Sequence, residues 1–206
     1  MQFIIARYNE NISWTNQFDN KIIYNKGNTL ENSIQLPNVG REAHTYLYHI
    51  INNYNNLAEF TCFLQGNPFD HSPNLFNNIN EFKYDIGYYN LASRVLETKI
   101  VGCIHESGLP IKEHYNYLFK DTLYNISNTK FLFGAGAQFI VSKEIIHLHP
   151  LNFYENLIKL TDYSDRACGA WTLERLWSLI FSYPNFTTYE FIQHNEYYPE
   201  INKHVS

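Results

Sequence analysis

Apolar positions recur along this chain in two rhythms, and the alternation between them predicts the architecture. Gln2 to Ala6 is a short apolar run ending in polar residues, the length of a buried strand. Ser13 to Phe18 reads as a short helix, and Lys21 to Tyr24 as a second strand closed by the turn Asn25-Lys26-Gly27. Arg41 to Tyr54 places Ala43, Leu47, Ile50, Ile51 and Tyr54 at helical spacing, so that one face is core. Glu59 to Leu64 is a third strand, ended by Gly66 and Pro68. Strand, helix, strand, helix, strand in this order predicts an α/β fold: a mostly parallel central sheet with right-handed crossovers, flanked by helices.

The second half is less regular. Ser107 to Pro110 reads as a loop. Phe131 to Phe133 and Gln138 to Val141 read as strand pieces separated by Gly134-Ala135-Gly136-Ala137. Leu151 to Leu160 reads as a helix behind Pro150. In Trp171 to Phe181 the residues Leu173, Leu176, Trp177, Ile180 and Phe181 recur at i, i+3, i+4, i+7 and i+8, the stripe of an amphipathic helix. The aromatic, polar tail after Pro184 fits no element. No repeat, Pro-rich linker or charge block divides the chain, so a single domain over 1–206 is expected.

Composition narrows the classes. With 206 residues, 45% apolar and 17% charged, the chain is long enough to bury one core and is not of disordered type. The net charge of -5 and the lack of a Lys/Arg cluster argue against a reader of nucleic-acid backbone. Cys62, Cys103 and Cys168 are an odd, widely spaced set without a CxxC pair, which suits a reducing compartment. Neither a signal-peptide core nor a run able to span a bilayer is present, so a soluble cytoplasmic location is expected. The sequons at Asn11, Asn125 and Asn185 are then expected to go unused.

In an open α/β sheet, ligands bind beyond the carboxyl ends of the strands, where turns expose backbone donors and helix amino termini. Four polar clusters occupy such positions: Arg7-Tyr8-Asn9-Glu10, Asn25-Lys26-Gly27, Asn38-Val39-Gly40-Arg41-Glu42 and Gln65-Gly66-Asn67-Pro68-Phe69-Asp70-His71. Any one of them is readily an ordinary solvated loop. All four on one edge point to a site for an anionic, hydroxyl-rich ligand. Arg7, Lys26 and Arg41 suit phosphate, and Gly40 allows close backbone approach at the start of the helix. Asp70 suits a hard divalent ion shared with a diphosphate, or simply caps a turn.

Other candidates carry two readings each. The small residues Gly134 to Ala137 either let a sugar approach the backbone, with Gln138 hydrogen-bonding it, or allow a tight bend between strands. Their spacing is not a dinucleotide fingerprint. His147 and His149 sit at i, i+2 but lack further ligands at zinc spacing, which favours a helix-end or loop role. Trp177 lies in the apolar stripe and belongs to the core, whereas Trp171 lies off it and suits stacking on an acceptor sugar. No Gly-x-Ser-x-Gly elbow or cysteine-protease string appears, so hydrolase chemistry is not indicated.

Ala6-Arg7-Tyr8-Asn9-Glu10, Tyr24-Asn25-Lys26-Gly27, Asn38 to Leu47 and Phe63 to Pro68 resemble segments of a poorly characterised family related to GT-A glycosyltransferases. Phe133 to Ser142 and Leu173-Glu174-Arg175-Leu176-Trp177 resemble that family's later motifs, so the likeness runs from about residue 3 to 181. It implies a GT-A-like, Rossmann-like domain that transfers a sugar from a nucleotide-sugar donor to a carbohydrate or glycoconjugate hydroxyl, with inversion. By this analogy Arg7, Tyr8, Asn9, Glu10 and Lys26 face the nucleotide, and Gly40 and Arg41 the sugar or phosphates. Gln65 and Asn67 occupy the place of the metal-binding Asp-x-Asp, which this chain lacks. Either Asp70 holds a manganese or magnesium ion, or basic side chains stand in for the metal. Gly136, Ala137, Gln138 and Trp171 would line the substrate side. Glu174 corresponds to the acid-bearing helix and is the implied general base; on a helical wheel it lies at the edge of the apolar stripe, with Arg175 nearly opposite. The missing Asp-x-Asp also admits a non-catalytic nucleotide-sugar or carbohydrate-binding module with the same fold.

Overall fold

A computed structural model describes residues 1–99, 109, 111–114, 130–161 and 168–181. The loop expected at 107–110, apart from residue 109, lies outside the described residues, as do Cys103, Asn125, Asn185 and the tail after Pro184.

The strand Gln2–Arg7 (β1) buries Ile4 on one face of the sheet and Ile5 on the other, each with no exposed surface. Full burial of one such side chain contributes about 1.5–3 kcal/mol. On either side of it lie Lys21–Asn25 (β2) and Phe60–Gln65 (β4), both parallel to it, and Ile34–Gln35 (β3) extends the sheet beyond β2. Tyr88–Asn90 (β5) and Phe139–Ser142 (β8) complete a sheet of order β3-β2-β1-β4-β8-β5, with β8 antiparallel to both its neighbours. Three parallel pairings against two antiparallel ones make the sheet mixed. Val95–Lys99 (β6) and Lys130–Gly134 (β7) form a separate antiparallel pair.

Helices cover both faces of the sheet, as strands buried on both sides require. Arg41–Asn53 (α1), Leu151–Ile158 (α4) and Cys168–Ile180 (α5) pack with Ile4, Tyr24, Phe63 and Phe139. The 3-10 turn Ser13–Gln17, followed by Phe18, and the helix Leu75–Glu81 (α2) lie with Ile5, Cys62, Leu64 and Ile140 on the other face. A short helix, Lys143–Ile146 (α3), follows β8, its first turn capped by Ser142 Oγ accepting from the Ile145 N–H at 3.2 Å. Among the described residues no helix is long and apolar enough to cross a membrane.

Two expectations need correction in detail. Helix α1 is buried more broadly than its apolar stripe: Thr45, Tyr46 and His49 are interior too, because the helix packs on β1 and β4 while α4 and α5 cover its flanks. Arg175 does not point away from the core. It is 5% exposed, held by a hydrogen bond to the Trp171 carbonyl at 2.7 Å and placed 4.9 Å from the centroid of the Phe133 ring. Helix α5 is covered by β7 as well as by α1, so the wheel position opposite the apolar stripe is interior as well.

The buried His49 makes stability sensitive to acid. Its Nδ1 lies 3.1 Å from the Tyr24 hydroxyl, and burial pulls its pKa from 6.5 down to about 4. Between those values the unfolded chain binds a proton that the folded chain refuses, so stability falls as pH falls through that window. The loss amounts to roughly 3 kcal/mol in all. Urea unfolding at about pH 7 and about pH 4.5 should show it, and His49→Leu should remove most of the difference. An unchanged difference in the variant would assign the loss to other groups.

Candidate functional site

The strand register levels three carboxyl ends. Ala6 stands opposite Tyr24 on one side and Gln65 on the other, so the chain leaves β1, β2 and β4 at the same height. From β1 the chain crosses to β2 and β3 on one side, then returns to place β4 on the other. The gap beyond β1 and β4 is therefore a topological switch point, where loops diverge and leave a crevice. A cleft of about 530 Å³ occupies it.

The first wall is the loop after β1. Arg7 donates from Nε to the Glu10 carbonyl at 3.0 Å, and from Nη1 to Asn25 Oδ1 at 2.6 Å and the Tyr8 carbonyl at 3.0 Å. These bonds fix one edge of the guanidinium and leave Nη2 without a partner among the described residues. Glu10 folds back, its Oε2 accepting from the Tyr8 N–H at 2.6 Å, while Tyr8 stays half exposed. Asn9 does not line the cleft; its Oδ1 accepts from the Asn28 N–H at 2.9 Å and ties this loop to the one after β2. Gly27 is needed in that second loop, because a Cβ there would lie 1.8 Å from the Tyr8 carbonyl oxygen.

Lys26 forms the floor. Only 8% exposed, its ammonium donates to the carbonyl of Val39 at 2.5 Å and to that of Arg41. These bonds pin the turn that starts α1. Burial lowers the Lys26 pKa to about 8, against the opposing pull of the Glu42 carboxylate, so the ammonium stays charged at neutral pH. The turn itself is left-handed at two successive residues, Gly40 at φ 59° and Arg41 at φ 48°. Such a conformation at a residue with a side chain costs about 1–3 kcal/mol and persists only when surroundings enforce it. It directs Arg41 along the rim, 54% exposed, with its guanidinium 6.0 Å from the Trp171 ring centroid. Glu42 turns inward and is 9% exposed.

Gln65, Asn67, Asp70 and His71 make the third wall, after β4. Asn67 Nδ2 donates to Asp70 Oδ2 at 3.1 Å, and Trp14 Nε1 donates to the Gly66 carbonyl at 3.0 Å. No three His, Cys, Asp or Glu side chains converge as a metal cage among the described residues. Asp70 is an exposed carboxylate that accepts from the Asn67 amide.

Arg7, Tyr8, Glu10, Lys26, Arg41, Gln65, Asn67 and Asp70 thus meet around one cleft, and Gly40 stands at the head of the helix beside it. Trp171 stands beside Arg41 at the rim, and the other candidates lie elsewhere. Gly136 and Ala137 form a left-handed bend before β8, at φ 93° and 52°, and a Cβ on Gly136 would meet the His71 ring. Gln138 is 1% exposed, its Nε2 donating to the Pro68 carbonyl at 2.9 Å. This stretch is a tight bend under the third wall. Glu174 does not line the cleft: its Oε1 accepts from the Gly136 N–H at 2.5 Å, and its Oε2 from Arg175 Nη1 at 3.0 Å. His147 caps α3, its Nε2 lying 2.8 Å from the Tyr54 carbonyl oxygen, and Trp177 is core. Sequence reading placed Glu42 in the polar cluster at the head of α1 but gave it no role. Its further signal is its place in the first helical turn, where a carboxylate also serves the helix dipole.

The fold and cleft define an α/β domain with a ligand-sized crevice at the switch point of its sheet. The chain belongs to the family described as "Protein of unknown function (DUF3431)", which matches residues 3–191. No curated protein and no solved structure matches it.

Gly40→Ala should lower the melting temperature by roughly 5–10 °C, because its φ is positive and the added Cβ would sit 2.5 Å from Thr161 atoms. A melting curve superimposable on that of the parent protein would show that the turn relaxes freely.

Proposed function

We propose that the protein is a glycosyltransferase that takes a sugar from a nucleotide-sugar donor, with the cleft as its donor site. The supporting observation is the convergence of Arg7, Lys26 and Arg41, drawn from three chain segments, on one cleft at the sheet's switch point. A diphosphate needs cationic donors held in place, and Arg7 and Lys26 are held by bonds that precede any ligand. Arg41, more than half exposed, closes on the ligand from the rim. Tyr8 offers an exposed ring beside Arg7 on which a base can stack. The resemblance of the sequence to GT-A-related proteins supplies the reaction class, transfer to a carbohydrate hydroxyl with inversion.

One observation favours the second reading, a module that binds the donor without turning it over. The carboxylate of Glu174 is held by Gly136 and Arg175, as in an anchor between α5 and the bend before β8. Calorimetry with UDP-, GDP- and dTDP-sugars, with and without manganese, tests the shared premise, and assays of donor hydrolysis and transfer separate the readings.

Arg41→Ala should weaken donor binding at least about tenfold without lowering the melting temperature, since the side chain contacts only Glu42 and Trp171 among the described residues. Unchanged affinity would move the donor away from this cleft. If Glu174 is the base, Glu174→Gln should cut turnover by orders of magnitude while donor affinity holds. Loss of folding stability together with both would identify it as an anchor.

A further inference from the structure

The cleft carries as many acids as cations. Arg7, Lys26 and Arg41 face Glu10, Glu42 and Asp70, so an incoming diphosphate meets no net positive charge when all six are ionised. The three carboxylates differ in what holds their charge. Asp70 is exposed to water and receives the Asn67 amide, and Glu10 receives the Tyr8 N–H at 2.6 Å. Glu42 is the most buried, at 9% exposure, and its ion-pair partner, Arg41 Nε, stands off at 3.7 Å. Lys26, its other cationic neighbour, spends its protons on the carbonyls of Val39 and Arg41. Behind it on α5 lies the Glu174 carboxylate, a like charge, and the Tyr46 ring follows one turn along α1.

We infer that Glu42 takes up a proton when a nucleotide-sugar diphosphate enters the cleft, so that the site binds the anion and a proton together. The inference rests on the donor-site reading above. Arg41 is the mobile partner: as its guanidinium turns to phosphate, Glu42 loses its closest countercharge and gains a dianion nearby. A side chain so little exposed has no water to offset that change, and protonation removes the repulsion. Burial already raises the Glu42 pKa; its own N–H, Arg41 and Lys26 pull it down, and Glu174 pushes it up. Protonated Glu42 also leaves Arg41 and Lys26 as uncompensated cations for the ligand.

The experiment is titration calorimetry with UDP-, GDP- and dTDP-glucose, whose diphosphate diesters exchange no proton near neutral pH. Each is run in PIPES and imidazole at matched pH, and the dependence of heat on buffer ionisation enthalpy counts protons. Uptake approaching about one proton per ligand is expected, with affinity falling up to about tenfold per pH unit as pH rises. Below about pH 7, where Lys26 keeps its charge, Glu42→Gln should bind with no uptake and a flat pH profile, Glu42→Asp and His71→Gln should keep the uptake, and melting curves should show all three folded. Binding without uptake in the parent protein, or uptake that survives in Glu42→Gln, overturns the inference and leaves the donor site standing. If none of the three nucleotides binds, the donor-site reading falls and the inference falls with it.

Discussion

Pairing of Ala6 with Tyr24 on one side and Gln65 on the other is the constraint on which the site depends. A strand has a side-chain period of two, so a slip of one residue on either side would invert the faces of β2 or β4. Ile4 and Ile5, buried on opposite faces, leave no alternative register that keeps both cores filled. The level exit of three strands follows, and with it the meeting of Arg7, Lys26 and Gln65 at one height. The crevice is thus a by-product of core packing; its chemistry comes from which polar residues stand just past the strands.

Charge inside that crevice is organised around backbone as much as around side chains. The Lys26 ammonium donates to the Val39 and Arg41 carbonyls on either side of Gly40, in a turn that no side chain caps. In doing so it sustains the left-handed Gly40 and Arg41, and that backbone sends one side chain outward to the rim and the next inward. Arg41 and Glu42 are neighbours in sequence, yet one is more than half exposed and the other almost fully buried. A single turn therefore sets both the reach of the cation and the isolation of the acid.

Much of this architecture was legible in the sequence because it rests on local signals. Strands β1, β2 and β4 and helices α1, α4 and α5 announce themselves through runs and stripes that only burial explains, and the turn residues mark where the polar loops begin. Helix α2 escaped because Asn77, Asn78 and Asn80 are poor helix formers, and Leu75, fully buried, docks it. Strands β3 and β5 are too short to show a period. Within the site, cations were readable as residue types, whereas the inward turn of Glu42 depends on two backbone angles that no spacing rule reveals. Arg175 was misjudged for a related reason: the wheel records one stripe, but α5 meets β7 as well as α1. Gly136 and Gln138 look like ligand contacts in a string of small residues, and only the tertiary position of His71 and Pro68 shows what the small size accommodates.

The contact of Gly27 with the Tyr8 carbonyl, reinforced by Asn9 reaching Asn28, has a mechanical consequence. Two loops from adjacent strands are pressed together at Gly27, with the Asn9 side chain tying them across the contact. A side chain at position 27 would wedge the two loops apart, so the spacing of this wall is set by the smallness of one residue.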